Sequence, residues 1–164
     1  MIREATIDDV PAIAALIRAL AEYERLAHEV TLDVGQLGAH LFGERRYAEV
    51  LVAEDAGEAV GFALYFHNFS TFLGQPGIYL EDLFVVPEHR GAGHGKALLA
   101  QLARIAVERG CGRLEWSVLD WNAPSIAFYR ALGARAMDDW TTYRFSGEEL
   151  AALAADGDAY STAR

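Results

Sequence analysis

"EDLFVVPEHRGAGHGKALL", residues 81–99, is the stretch on which the reading of this chain turns. It starts with two adjacent acids, Glu81 and Asp82, inside an apolar strand pattern that Pro87 brings to an end. Arg90 follows, then Gly91, Gly93 and Gly95 on alternate positions, and a helical pattern begins at once. Glycine is costly at the start of a helix, because it surrenders more backbone freedom on folding than any other residue. Two phosphate-binding patterns fail here. The dinucleotide fingerprint needs glycine where Lys96 stands, and a Walker loop needs glycine at Arg90 and a hydroxyl residue at Ala97. What remains is Arg-x-x-Gly-x-Gly between a strand and a helix. Without side chains the main-chain N–H groups lie open, and a helix N-terminus adds roughly half a positive charge. A pyrophosphate suits that arrangement, with Arg90 as a forked donor. A glycine-rich turn without a ligand is the plainer alternative.

Hydrophobic periodicity orders the rest of the chain around this segment. "MIREAT" predicts a short strand. Thr6 and Asp9 have capping-box spacing, Pro11 suits a first turn, and Val10, Ile13, Ile17 and Leu20 follow the helical period towards an end near "AEYERL". Thr31 is the expected cap of a second helix carrying Val34, Leu37 and Leu41. "EVLVAEDAGEAVGFALYF" reads as a hairpin around "DAGE", "HNFSTFLGQPG" as a loop and "IYLEDLFVV" as a strand. A helix over 95–109, ended by Gly110, leads to a strand over 113–119. A short helix in "APSIAFYRALGA", a last strand in "TTYRFS" and a frayed helix in "EELAALAA" complete the order β-α-α-β-β-β-α-β-α-β. The right-handed crossover through helix 95–109 predicts that strands 78–86 and 113–119 run parallel. A single mixed, mostly antiparallel α/β sheet with helices on both faces is the economical architecture.

Composition narrows the class. A chain of 164 residues is one domain, 1–164, with one core, and 52% hydrophobic residues exclude disorder. No apolar run approaches the roughly 18–20 residues of a membrane span, and "MIREATIDDV" has no signal-peptide character. A cytoplasmic location with no membrane partner is the expectation. The balance of 24 acids against 14 bases, −10 in all, argues against a nucleic-acid partner and fits a cationic ligand. The single cysteine, Cys111, excludes a disulfide framework and a thiolate cluster. No histidine is placed by sequence to activate it, so it reads as a small residue at a helix end. His89 and His94 flank the glycine loop without partners at ligand spacing, and no metal is expected. They read as surface or phosphate-contact residues.

Three polar side chains sit oddly in these patterns. Carboxylates are depleted from strands, and alternation sends Glu81 and Asp82 to opposite faces. Tyr129 shares helical spacing with Ile126 and Phe128, which by itself suits a core position.

The loop of 81–99 and "DWNAPSIAFYRALGA" further on together resemble the GCN5-related N-acetyltransferases. The similarity runs from "IREATIDDVPAI" to "TTYRF" and is strongest to the diamine (spermidine/spermine-type) and thialysine branch. "YLED" at 79–82, "RG-x-G-x-G" at 90–95 and "WN-x-PS-x-x-FY" at 121–129 carry it. The resemblance implies a sheet of six or seven strands with a splayed parallel pair that binds acetyl-CoA. It implies that Arg90, Gly91, Ala92, Gly93, His94, Gly95 and Lys96 hold the pyrophosphate. Leu83, Phe84 and Val85 would pair with the pantetheine arm, and Asn122 and Ser125 would contact it. Glu81 is then the general base, acting through water, and Tyr129 the proton donor to the leaving sulfur. Asp82, Tyr23, Glu24, Ser70, Thr71, Leu119 and Asp120 are the implied amine-binding positions. Ser70-Thr71 and Leu119-Asp120 resemble the thialysine branch, whereas polyamine enzymes typically carry Ala-Glu before "WN". A homodimer is also implied. The chemistry expected is acetyl transfer to a small primary amine, thialysine-like or a diamine, with polyamine acetylation as second reading. A non-catalytic acyl-CoA-binding module is the alternative from another class.

Overall fold

The computed structural model describes residues 1–157. They fall into two compact units, residues 1–117 and the residues from 118 onward.

In the first unit a five-stranded sheet has its strands in chain order: β1 (Ile2–Glu4), β2 (Glu49–Asp55), β3 (Glu58–Ser70), β4 (Gln75–Val85) and β5 (Leu114–Trp116). β1 to β4 are antiparallel, and β5 lies parallel to β4, as the crossover rule demands. One face of the sheet carries α1 (Val10–Tyr23) and α2 (Val34–Phe42). Ile13, Leu16, Leu20 and Leu41 pack there with Val50, Val52, Phe62 and Phe84. The alternate strand residues, Leu51, Ala53, Ala63 and Tyr65, are buried too. α3 (His94–Glu108) packs on the same strands and buries Leu98, Leu102 and Ile105. A sheet covered on both sides buries both alternating sets, which accounts for the near-continuous apolar run of β2.

Local signals explain most boundaries. Thr6 donates its N–H to the Asp9 carboxylate at 2.7 Å, and Arg3 clamps Asp9 and Glu54, joining β1, the start of α1 and β2. Ala56 and Gly57 take positive φ values of 49° and 86° in the two-residue turn between β2 and β3, the twist-matched hairpin geometry. Other expectations need correction. The cap of α2 is Asp33, whose carboxylate accepts from Gln36 N–H at 2.8 Å, not Thr31. Residues 67–77 do not form a loop, because β3 runs to Ser70 and β4 starts at Gln75, leaving a tight turn at the tip.

The second unit holds α4 (Ala123–Ala131) and α5 (Gly147–Gly157). Asn122 caps α4, its side-chain oxygen accepting from Ser125 N–H at 3.3 Å, and Gly133 ends the segment at φ 90°. "TTYRFS", 141–146, is not a strand: no strand edge among the described residues pairs with it. Among the described residues the sheet therefore has five strands, not six or seven. An alternating segment becomes a strand only where a ladder partner exists.

Candidate active site

β4 carries the first group of site residues, and its ladder is irregular where the acids stand. Leu64 pairs with Asp82 and the next β3 residue, Tyr65, pairs with Leu80. Glu81 is thus the extra residue of a β-bulge, outside the register and exposed. The bulge changes the face reading. Leu80 lies opposite Tyr65, on the side of α3, whereas Asp82 and Phe84 lie opposite Leu64 and Phe62, on the side of α1. Simple alternation would have put Asp82 on the same face as Leu80, among the apolar side chains under α3.

Asp82 is mostly buried. Burial, with Glu81 and Glu24 as like-charged neighbours, pushes its carboxyl up to about 6. Burial also raises the carboxyl of Glu24. Neither Asp82 nor Glu81 forms an ion pair with a basic residue of the described chain. Three carboxyls with no protein cation among them suit a cationic ligand.

Linkage gives a test. Asp82 titrates at about 6 in the folded chain, above the roughly 3.9 of an unfolded aspartate. Its contribution to stability is fully present below that unfolded value and is lost as pH rises through about 6, where the buried group must ionise. Asp82→Asn should therefore stabilise the protein at pH 8 by up to about 3 kcal/mol and leave it nearly unchanged at pH 4. Urea unfolding at the two pH values measures this; a gain independent of pH would assign the titration elsewhere.

The β4–β5 ladder is short. It joins only Ile78, Tyr79 and Leu80 to Leu114, Glu115 and Trp116, so β5 ends well before the expected 113–119. From Glu81 onward β4 continues against β3 alone. Its main-chain groups on the β5 side, those of Leu83 and the Val85 N–H, form a short open edge among the described residues, available to an extended ligand chain, while the Val85 carbonyl is taken by Arg90.

Beyond β4, Arg90 folds back onto the α1 side. Its Nε–H donates to the Val85 carbonyl at 2.9 Å, and its guanidinium lies 4.5 Å from the Tyr23 ring centroid and 5.5 Å from that of Phe84. Its terminal amino groups are what it can offer an anion. Gly91 and Gly93 both require left-handed backbone, at φ 83° and 87°, and a Cβ built on either meets nothing within 4 Å. Gly95 lies in the first turn of α3, beside open main chain. No main-chain acceptor among the described residues takes the N–H groups of 91–96, and those of 94–96 form the positive end of α3. The loop fits a diphosphate.

Ser70 and Thr71 lie elsewhere. Ser70 is buried, its hydroxyl accepting from Leu73 N–H at 3.3 Å in the tip of the β3–β4 hairpin. It stands six positions along β3 from Leu64, opposite Asp82, about 20 Å of strand at ~3.3 Å per residue. Within one chain the structure does not bring these hydroxyls to the acids.

In the second unit Leu119, Asp120 and Asn122 form the turn into α4, Ser125 lies in its first turn and Tyr129 in its last. Leu119 carbonyl accepts from Asn122 N–H at 2.9 Å, and the rings of Phe128 and Tyr129 are 5.4 Å apart. Asn122 is buried and its side-chain oxygen serves the helix cap.

Cys111 does have a histidine beside it, contrary to the sequence expectation: His67 Nδ1 is 3.8 Å from Sγ. The ring cannot serve as its base. Arg109 can only donate, so His67 Nε2 accepts from it at 3.0 Å, and Nδ1 then carries the hydrogen that it gives to the Gly77 carbonyl. A nitrogen that already bears hydrogen takes no proton from a thiol.

The acetyltransferase (GNAT) family profile matches residues 13–134, three quarters of the chain and across both units. This chain belongs to the GNAT family. It is an acetyltransferase, and enzymes of this family use acetyl-CoA as co-substrate. Among curated relatives, a thialysine N-epsilon-acetyltransferase of Bos taurus is 42% identical over 94% of this chain and 96% of its own length. An L-ornithine N5-acetyltransferase of Arabidopsis thaliana is 32% identical over 93% of this chain and 86% of its own. Among solved structures, an integron cassette protein from the mobile metagenome of V. cholerae superposes with a TM-score of 0.79. It is 27% identical, with 94% of this chain and 96% of that one covered.

Proposed function

We propose that this GNAT acetyltransferase moves an acetyl group from acetyl-CoA to the distal primary amine of a small amino acid of the thialysine type, or of a diamine. The carrying observation is the group of three carboxyls, Asp82, Glu81 and Glu24, with no protein cation among them, next to an open strand edge and an anion-binding loop. The names of the two relatives support the choice, because thialysine and ornithine are both amino acids with a primary amine at the end of the side chain.

The roles follow from the chemistry. An alkyl ammonium of pKa about 10.4 is neutral in only about one molecule in 2,500 at pH 7, so freeing the nucleophile costs roughly 4–5 kcal/mol. Glu81, exposed at its bulge, takes that proton through water. The amine nitrogen attacks the thioester carbonyl, polarised by a main-chain N–H of Leu83–Val85. The C–S bond breaks, the Tyr129 phenol protonates the departing thiolate, and the second proton that the nitrogen sheds as the amide forms passes through water to restore the phenol. Loop 90–96 seats the diphosphate, while Asn122 and Ser125 line the arm. Asp82, Tyr23 and Glu24, with Leu119 and Asp120, hold the far end of the amine. Direct attack in a ternary complex needs no enzyme nucleophile, which agrees with the blocked histidine beside Cys111.

If Ser70 and Thr71 also line the amine site, a second copy must supply them, since about 20 Å of strand parts them from Asp82 in one chain. A homodimer is accordingly part of the proposal, as is one catalytic domain spanning 1–164. Polyamine acetylation is the second reading, favoured by the number of carboxyls facing one region. Release of CoA from acetyl-CoA over a panel of thialysine, ornithine, short diamines and spermidine, on protein of measured mass, tests all of this. Amino-acid amines should give the highest kcat/KM, on a dimer. Preference for spermidine would select the second reading, and no release with any amine would leave only coenzyme binding.

A further inference from the structure

A second constellation borders the diphosphate loop, sharing His94 with it, at the end of the sheet where β2 turns into β3. Asp55 is the last residue of β2 and pairs with Glu58 across the two-residue turn. β4 reaches the same end: Val85 pairs with Gly61, and Val86 N–H donates to the Val60 carbonyl at 2.9 Å. The chain then makes a single turn, Pro87–His89, and passes through the two left-handed glycines. It returns at His94, the first residue of α3. The result is that His89 Nδ1 stands 3.1 Å from the Asp55 carboxylate, and the His94 ring is 6.4 Å, centre to centre, from the His89 ring. One ligand atom from each of Asp55, His89 and His94 falls within 4.8 Å of the other two.

We propose that Asp55, His89 and His94 form a binding site for a divalent transition-metal ion of the zinc class. Bonds of about 2.0–2.2 Å in tetrahedral array place ligand atoms roughly 3.4 Å apart. Small side-chain rotations of an exposed aspartate and two half-buried histidines close that difference. Two imidazoles and one carboxylate select Zn²⁺ and its first-row neighbours over Mg²⁺ or Ca²⁺, which take oxygen donors. A hydrogen-bonded His89–Asp55 pair alone would not require the third group. The convergence of His94 distinguishes a site from a surface ion pair, worth little at this exposure. No ligand spacing marks this group along the chain, because Asp55 lies 34 residues before His89 and reaches it only through the hairpin. Three protein ligands leave the fourth tetrahedral position to water.

The test uses the whole protein, stripped with a chelator and titrated calorimetrically with ZnCl₂, with the visible spectrum of added Co²⁺ as an independent readout of coordination. The expected result is one equivalent bound with micromolar affinity. Asp55→Asn and His89→Gln, both outside the acetyl-transfer residues, should each weaken binding at least about 10-fold. Both positions are on the surface, and Asn keeps the shape of Asp. Thermal melting in metal-free buffer, unchanged in the variants, separates loss of a ligand from loss of fold. Wild-type protein that takes up no ion at micromolar concentration overturns the proposal. So do variants that bind as tightly as the wild type, since the ion would then sit elsewhere.

Discussion

Tyr129→Phe lowers turnover by about 10²–10⁴-fold, the range for loss of a general acid, and leaves acetyl-CoA affinity nearly unchanged. The substitution removes one oxygen and keeps the ring against Phe128, so packing of α4 is preserved. The thiolate of the leaving coenzyme has a conjugate-acid pKa of about 8.5 and a phenol about 10, so full proton transfer is uphill by only about 2 kcal/mol. Coupled to C–S cleavage, that step is accessible, and without it the thiolate must leave unassisted. Steady-state rates beside a binding isotherm for the coenzyme decide the matter. Undiminished turnover would return the residue to a packing role.

Gly93→Val abolishes coenzyme binding in a protein that still folds. The position needs φ 87°, which a β-branched residue adopts at a cost of order 1–3 kcal/mol. That strain is a fraction of the stability of a domain of this size. No neighbour lies within 4 Å of the new Cβ, so the fold meets no clash. The isopropyl group instead fills the space in front of the amides of the loop, where a diphosphate must approach. Circular dichroism shows whether the variant is folded, and titration with CoA shows whether it binds. A folded variant with wild-type affinity would mean that the glycines serve the turn alone.

Much of this was legible in the sequence because it depends on local rules. The crossover, the hairpin around "DAGE", the Thr6–Asp9 capping box, which closes the short turn ahead of α1, and the glycine turn each follow from residues a few positions apart. The misses share a cause of the opposite kind. Thr31 and Asp33 are both competent caps, and only the fold shows which one meets an unpaired N–H. Residues 141–146 alternate as a strand should, yet a ladder needs an edge that no pattern within the segment can promise. His67 and Cys111, like Asp55 and His89, meet across tens of residues. The bulge at Glu81 did leave a trace: Ile78 and Leu80 are buried on one side and Phe84 on the other, although all three positions are even. A parity break in an apolar strand with two acids at the break is the signal to look for.

Glu81 occupies no rung of the β3–β4 ladder. Excising it from the chain would let Leu80 and Asp82 become consecutive rungs while keeping the sides they already hold. The carboxylate assigned to proton removal is thus a supernumerary part, added to a scaffold whose architecture is complete without it.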